Sequence, residues 1–337
     1  MFSQDQYSLL DFGNGRRLER FGELTLDRFC PSTHGISPKD ESIWRNADAR
    51  FVERKNECRK NYKNDITALG FRGVWFPHSD VGRSYFSRKE DEHVLGSGED
   101  ADRISSKPWT ITYANRFVLE LKGSPFGHVG VFPEQANNWD RIIELCQEGT
   151  RQLNRPLRVL NLFAYTGGST LAAASAGAEV THLDAARNVV AQARRNAELS
   201  LEAYSQNAFD KIRWIVDDST KFVKREVKRS SYYDGVILDP PSYGHGSHGE
   251  VWRLSRDLEP LLRNILSILK NEFSFVMLSG HTPGFEARVL ERLIRDCFSE
   301  RFGKSNVDFS SCPLILKSEQ GETLYSGDVA LGILRSE

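Results

Sequence analysis

"LRVLNLFAYTGGSTLAAASAG", residues Leu157 to Gly177, reads as a buried strand, a glycine turn and a small-residue helix in immediate succession. Leu157, Val159, Leu160 and Leu162 form the short apolar run that a sheet covered on both faces requires. Thr166, Gly167 and Gly168 let the backbone turn tightly and come close to a ligand, while the helix that follows offers its N-terminus. The unit then repeats. Strand "EVTHLD" leads to helix "AARNVVAQARRNAELS", "IRWIVD" to "STKFVKREVKR", "DGVILD" to "VWRLSRDLEPLLRNILSILK", and "FSFVMLSG" to "FEARVLERLIRDCF". Ahead of the first strand, "NNWDRIIELCQEGTRQL" sets Trp139, Ile142, Ile143 and Cys146 on one helical face. Five strand-helix units in tandem predict an α/β fold with a Rossmann-like parallel sheet. The tail, "VDFSSCPLILK" and "TLYSGDVALGIL", has no helix between its two strand-like runs, so a terminal antiparallel hairpin brings the sheet to seven strands.

Upstream the texture is different. In "LLDFGNGRRLERF" the Asn14-Gly15 pair lies between two half-apolar runs, the strongest short hairpin signal. "WTITYANRFVLEL" alternates Trp109, Ile111 and Tyr113, turns near Ala114-Asn115, and alternates Phe117, Leu119 and Leu121, a second hairpin. Residues 1–125 are therefore expected to form a small β-rich, substrate-binding domain, and 126–337 the catalytic domain. Between the hairpins, about 38–107, charge is dense. "EDEHVLGSGEDADRISS" in particular has the composition of a mobile loop.

Composition limits the classes of function. A chain of 337 residues is long enough for a core domain plus an appended one. Its formal charge of −1 and pI near 6.7 exclude binding by bulk basicity, so any polyanion must be met by local patches. The five cysteines, Cys30, Cys58, Cys146, Cys297 and Cys312, are scattered with no Cys-x-x-Cys pair, which argues against a disulfide framework and against zinc. A reducing, cytoplasmic setting fits them. The opening "MFSQDQYSLL" is no signal peptide, and no apolar run approaches the roughly 20 residues of a membrane span.

Ligands of doubly wound sheets bind at the carboxyl ends of the strands, near the point where strand order reverses. The first strand ends in Phe163, Ala164, Tyr165, Thr166 and Gly167; the second on Asp184, a carboxylate able to bridge two ribose hydroxyls. The third ends in Asp217-Asp218-Ser219, suited to an adenine, and the fourth in "DPPSYG", Asp239 to Gly244. Each has a plainer reading too: a Gly-Gly turn, or an acid that caps the next helix. The loop lacks the Gly-x-Gly-x-x-Gly spacing of a pyrophosphate cradle, which favours adenosine without phosphates, as in S-adenosyl-L-methionine.

At these residues the chain resembles the class I S-adenosylmethionine-dependent methyltransferases that act on large-subunit ribosomal RNA. The resemblance lies in the Phe-x-Tyr-Thr-Gly-Gly loop and the Asp-Pro-Pro-x-aromatic motif. "HVGVFPEQANNW", His128 to Trp139, is similar to the segment that precedes their catalytic domain, and "LLDFGNGRRLERFG" is similar to a branch with a small β domain in front. The resemblance implies that Phe163, Ala164, Tyr165, Thr166 and Gly167 wall the methionine half of the cofactor, with Glu134 and Gln135 nearby. It implies that Asp184 with Ala185 takes the ribose and Asp218 with Ser219 the adenine, while Asp239, Pro240, Pro241 and Tyr243 face the methyl acceptor. RNA is the implied partner.

Two prolines fix φ at consecutive positions and remove competing donors, so an acceptor can be held rigidly. Asp239 can accept from an exocyclic amine, and Tyr243 can stack on a base for about 1–3 kcal/mol. Members that methylate cytosine C5 carry a cysteine after the fifth strand; this chain has Gly280 and His281 there, which favours a nitrogen acceptor. His281 reads as a base near the acceptor or as a hydrogen-bonded loop histidine. His245 and His248 lack a third metal ligand, and no metal is expected. Lys221, Lys224, Arg225 and Lys228, opposite Val223 and Val227, and Arg16, Arg17 and Arg20, read as phosphate contacts or as solvated charge. A methyltransferase acting on a protein or small molecule, a nucleotide-binding oxidoreductase using NAD, and a non-enzymatic RNA-binding module stand as the other readings.

Overall fold

The computed structural model describes residues 2–53, 73–86, 108–204, 207–245, 249–303 and 306–335. The acid- and glycine-rich run expected to be a mobile loop, together with Cys58 and His248, lies outside them.

Three strands open the chain, β1 (Tyr7–Gly13), β2 (Arg16–Phe21) and β3 (Leu24–Phe29), followed by β4 (Ala49–Glu53), β5 (Gly73–Pro77) and helix α1 (Asp80–Phe86). The five strands form one sheet in sequence order. Asn14 at φ 50° and Gly15 at φ 78° make the primed turn that joins β1 to β2. The charged middle is thus only partly loop: β4, β5 and α1 fall inside it.

The second expected hairpin is β6 (Thr110–Tyr113) and β7 (Phe117–Glu120), paired antiparallel and apart from the N-terminal sheet. The Rossmann-like body follows as α2 (Ala136–Leu153), β8 (Arg158–Leu162), α3 (Gly168–Ser175), β9 (Glu179–Asp184), α4 (Arg187–Tyr204), β10 (Ile212–Val216), α5 (Ser219–Lys228) and β11 (Gly235–Leu238). It continues with β12 (Tyr243–His245), β13 (Val251–Arg253), α6 (Leu254–Ser267), β14 (Ser274–Gly280), α7 (Ala287–Phe302), β15 (Val307–Lys317) and β16 (Thr323–Leu334). The seven-stranded sheet has the order β10-β9-β8-β11-β14-β16-β15, its last two strands antiparallel. Order reverses between β8 and β11, where a ligand crevice opens.

One expected helix begins late. Val251 to Arg253 pair with Tyr243 to His245 as a short hairpin, because Trp252 turns inward to donate Nε1–H to the Pro241 carbonyl at 2.7 Å. Helical periodicity alone does not reveal that tertiary bond.

Alternating residues along the strands feed two buried clusters, one on each face of the sheet. Val159, Ile237, Phe275, Met277 and Leu331 belong to one, with Trp139, Ile142 and Cys146 of α2; Leu160, Val236, Val276, Leu278 and Ala330 belong to the other, with α6 and α7. The first cluster runs on into Phe21, Leu24, Leu26 and Ala49 of the N-terminal sheet and into Ile111 and Phe117. Each fully buried Leu, Ile or Phe stabilises by roughly 1.5–3 kcal/mol. The β6-β7 hairpin is tied to α4: Val118 N–H donates to Ser200 Oγ at 2.8 Å and Glu120 N–H to Asn196 Oδ1 at 2.8 Å.

Candidate active site

The turn after β8 is strained. Phe163 (φ 54°), Tyr165 (φ 50°) and Gly167 (φ 92°) all lie in the left-handed region, which is uncommon for bulky side chains and collects at ligand sites. Its surroundings over-determine it. Ala164 N–H donates to the Leu183 carbonyl at 3.0 Å, Tyr165 N–H to Asp184 Oδ2 at 3.0 Å, and Thr166 Oγ1–H to the Gly130 carbonyl at 2.6 Å. Asn196 on α4 donates to the Thr166 carbonyl at 2.9 Å. At Gly168 a Cβ would collide with the Trp139 indole, so α3 starts against α2 only because that side chain is missing.

This turn is one wall of an open cleft of about 540 Å³ at the switch point. Phe163, Ala164, Tyr165, Thr166, Gly167 and Gly168 line it together with Gln135, Trp139, Asn161, Asp239 and Ser279. The cleft thus unites the loop after β8, the 133–135 turn and the end of β11, which the sequence pointed to separately.

Asp239 is fixed from two sides. Gln135 Nε2–H donates to its Oδ2 at 2.9 Å, and Gln135 Oε1 in turn accepts from Asn138 Nδ2–H at 2.7 Å. On the other side His281 Nε2 lies 3.1 Å from Oδ1, an ion pair whose members are each about a third exposed. Oδ1 is itself buried against that ring. The ring of His281 is held from behind: Nδ1–H donates to the Ser326 carbonyl at 2.8 Å. Burial opposes its charge, but the Asp239 carboxylate outweighs that and carries its pKa up to about 10. His281 is therefore a hydrogen-bonded loop histidine and the ionic neighbour of the Asp239 carboxylate.

The Pro-Pro segment is braced in turn. Trp252 holds the Pro241 carbonyl, Leu254 N–H donates to the Ser242 carbonyl at 3.0 Å, and the hydroxyls of Ser242 and Thr282 meet at 2.6 Å. Trp252 also packs on Phe163, ring centroids 4.9 Å apart, which joins this brace to the strained loop. Tyr243 is half-buried at the start of β12.

The residues expected to meet a ribose and an adenine are partly engaged within the protein. Asp184 accepts from Tyr165 N–H through Oδ2 and from Ala186 N–H, at 2.9 Å, through Oδ1, leaving one lone pair on each oxygen. Burial pushes its carboxyl up, against the pull of those N–H groups. Asp218 takes the plainer role, capping α5 by accepting from Lys221 N–H at 2.8 Å, with Ser219 buried beside it. Asp184, Ala185, Asp218, Ser219, Pro240, Pro241 and Tyr243 are not in the wall of the cleft described above.

Several basic candidates are engaged elsewhere. Lys221 pairs with Glu250 and Arg225 with Asp217; Arg16 pairs with Asp27, Arg17 with Glu19 at 3.2 Å, and Arg20 with Glu319 at 2.8 Å. The buried face of α5 is Ser219, Phe222, Val223 and Glu226, whereas Val227 is exposed. Among the described residues no group of three His, Cys, Asp or Glu is placed to hold a metal. No described helix is long and apolar enough to cross a membrane.

The strained loop after β8, the Asp184 carboxylate that holds it and the Asp-Pro-Pro turn thus gather around the switch point. Residues 142–297 match the family model of S-adenosylmethionine-dependent methyltransferases. The chain is 29% identical over 165 residues, 48% of its length, to ribosomal RNA large subunit methyltransferase K/L of a Shewanella species. It is 33% identical over 95 residues, 28% of its length, to ribosomal RNA large subunit methyltransferase I of Salmonella arizonae. The matched parts span 21% and 22% of those relatives, about a fifth of each. Over nearly the whole chain the fold is that of the crystal structure of a SAM-dependent methyltransferase from Agrobacterium tumefaciens, with a TM-score of 0.71, 26% identity, and coverage of 98% of this chain and 91% of that one.

The site fits this cofactor on its own evidence. The loop that lines the cleft is already bent; just outside the wall, Asp184 holds a loop N–H, and Glu134, next to the lining Gln135, is buried with Oε2 lacking a hydrogen-bond partner among the described residues.

Proposed function

We propose that the protein methylates a nitrogen of a base in RNA, with large-subunit ribosomal RNA as the substrate. Phe163 to Gly167 with Gln135 would hold the methionine half of S-adenosylmethionine, Asp184 and Ala185 the ribose, and Asp218 and Ser219 the adenine side. When bound, the cofactor supplies a sulfonium methyl group that a nitrogen lone pair displaces as the carbon-sulfur bond breaks. Asp239 does the positioning. A carboxylate clamped by Gln135 and His281 accepts an N–H of an exocyclic amine on the remaining lone pair of Oδ2 and thereby turns that nitrogen's lone pair into the cleft. Pro240 and Pro241 keep the carboxylate from swinging, and Tyr243 stacks on the base.

The nitrogen acceptor is favoured over cytosine C5 by the cysteines. None of the described ones lines the cleft, and burial pushes the thiols of Cys146 and Cys297 up to about 12 and 11, where they are poor nucleophiles. The RNA substrate is supported by what the relatives are named for.

The observation that carries the proposal is the placing of Gln135 and Asp239 in the wall of the cleft with His281 behind the carboxylate. Incubation with methyl-labelled cofactor and large-subunit ribosomal RNA, followed by mass analysis of the nucleosides, should yield one N-methylated base. A 5-methylcytosine product would overturn the nitrogen assignment. Labelling of protein and not RNA would overturn the substrate. Binding should fall linearly in log K against log salt. S-adenosylmethionine at about 100 times its Kd should stabilise by about 2.7 kcal/mol, and NADH should not.

A further inference from the structure

The last hairpin of the sheet reaches into this site, and nothing in the motif chemistry requires it to. Along β15 and β16 the register steps from Leu314↔Gly327 to Ile315↔Tyr325, so Ser326 has no opposite residue and forms a bulge. Bulges concentrate beside active sites because they re-aim one group. Here the group is the Ser326 carbonyl, which accepts from His281 Nδ1–H at 2.8 Å. The next residue makes the seat possible: Gly327 has φ 141°, and a Cβ there would lie 2.5 Å from His281 Nδ1 and 2.8 Å from the Gly280 carbonyl.

Resting on the site reading above, we propose that His281 is a positioning residue, and that the Tyr325-Ser326-Gly327 bulge exists to hold its imidazolium against Asp239. The argument is one of proton inventory. A carbonyl only accepts, so Nδ1 carries a proton; a neutral ring would then present the Nε2 lone pair to a carboxylate 3.1 Å away, which is repulsive. The second proton removes the repulsion and makes the ion pair. Two charged or titratable groups bear on the ring, Asp239 and, more weakly, Glu134, and both favour the cation. An imidazolium beside Asp239 makes the carboxylate a poor proton base and a fixed hydrogen-bond acceptor. The acceptor class is then an amine that brings its own N–H and releases its proton after transfer, rather than one that must be deprotonated first.

The test separates this idea from the substrate assignment. In the nitrogen-15-labelled full-length chain, both His281 ring nitrogens should stay protonated through neutral pH and up to about 10, and in Asp239→Asn the same ring should titrate well below that, since burial is then opposed only by the Ser326 carbonyl and Glu134. His281→Ala should lower kcat on the order of 100-fold with the Kd for S-adenosylhomocysteine unchanged, as expected for a misplaced acceptor-site group. His281→Gln, which can still donate to Asp239, should recover part of that loss. Gly327→Ala should behave like His281→Ala; if it does not fold, the other three variants decide. A wild-type ring that titrates near 6.5 with no response to Asp239→Asn, or wild-type kcat in His281→Ala, overturns the proposal. RNA that remains unmethylated by wild type would instead sink the substrate assignment, and the titration would still decide the pair.

Discussion

Asp239 shows how much meaning a single residue acquires from its neighbours. On the proposed function, in which Asp239 faces the methyl acceptor, Asp239→Ala should cost turnover at least about 100-fold while leaving cofactor affinity nearly intact. Parallel kcat and binding measurements check the split. The ion pair also has a pH signature. The folded-state pKa of His281 is raised from 6.5 to about 10, so the pair's contribution to stability is complete below about 6.5 and is lost as pH rises through about 10. The stability gap between wild type and Asp239→Asn, read from denaturant midpoints, should therefore be widest near pH 6 and narrow toward pH 10. Asp184→Ala should weaken cofactor binding by about 1.5–3 kcal/mol. It should also loosen the loop, since Tyr165 N–H loses its acceptor.

Among the elements, the loop between β8 and α3 is decisive. Its strain is held by Asn196, which is fully buried and bonds both the Thr166 carbonyl and Glu120 N–H. Asn196→Ala should cost about 1–3 kcal/mol for the buried groups left unpaired, and chemical denaturation measures it. Gly168→Ala should cost about 1–3 kcal/mol through the collision with Trp139, without touching the ligand. The strand-helix alternation was legible because apolar runs and acidic strand ends are local signals. The β13 strand was not, because its inward Trp252 depends on the Pro241 carbonyl across a turn.

Across the whole molecule, the two sheets share one apolar cluster, and further ties cross between them. Glu319 N–H donates to the Leu9 carbonyl at 3.0 Å, and Arg28 is buried between Glu19 and the Gly127 carbonyl. Residues 108–125, expected to belong with the N-terminal β domain, bond both ways: Val118 and Glu120 N–H donate to α4, while Thr112 N–H donates to Gln6 Oε1, Trp109 Nε1–H to the Phe21 carbonyl, and the Pro125 carbonyl accepts from Gly73 N–H. We propose that the catalytic body needs the β6-β7 hairpin to cover α4. A fragment 126–337 should melt lower and precipitate more readily than 108–337, because it uncovers α4 and Trp139; thermal melts of the two would show it.

The sequence by itself determined the order of strands and helices, the loop after the first strand, and the carboxylates at the strand ends, since each depends on residues close together in the chain. Only the tertiary structure decided which of those carboxylates faces the cleft and which caps a helix, and that His281, rather than solvent, sits beside Asp239. Those outcomes depend on a glycine and a carbonyl in the last hairpin, 46 and 45 positions from the histidine they seat. Pairing at that separation leaves no periodic trace, because it is set by sheet register and by the room that one missing Cβ leaves.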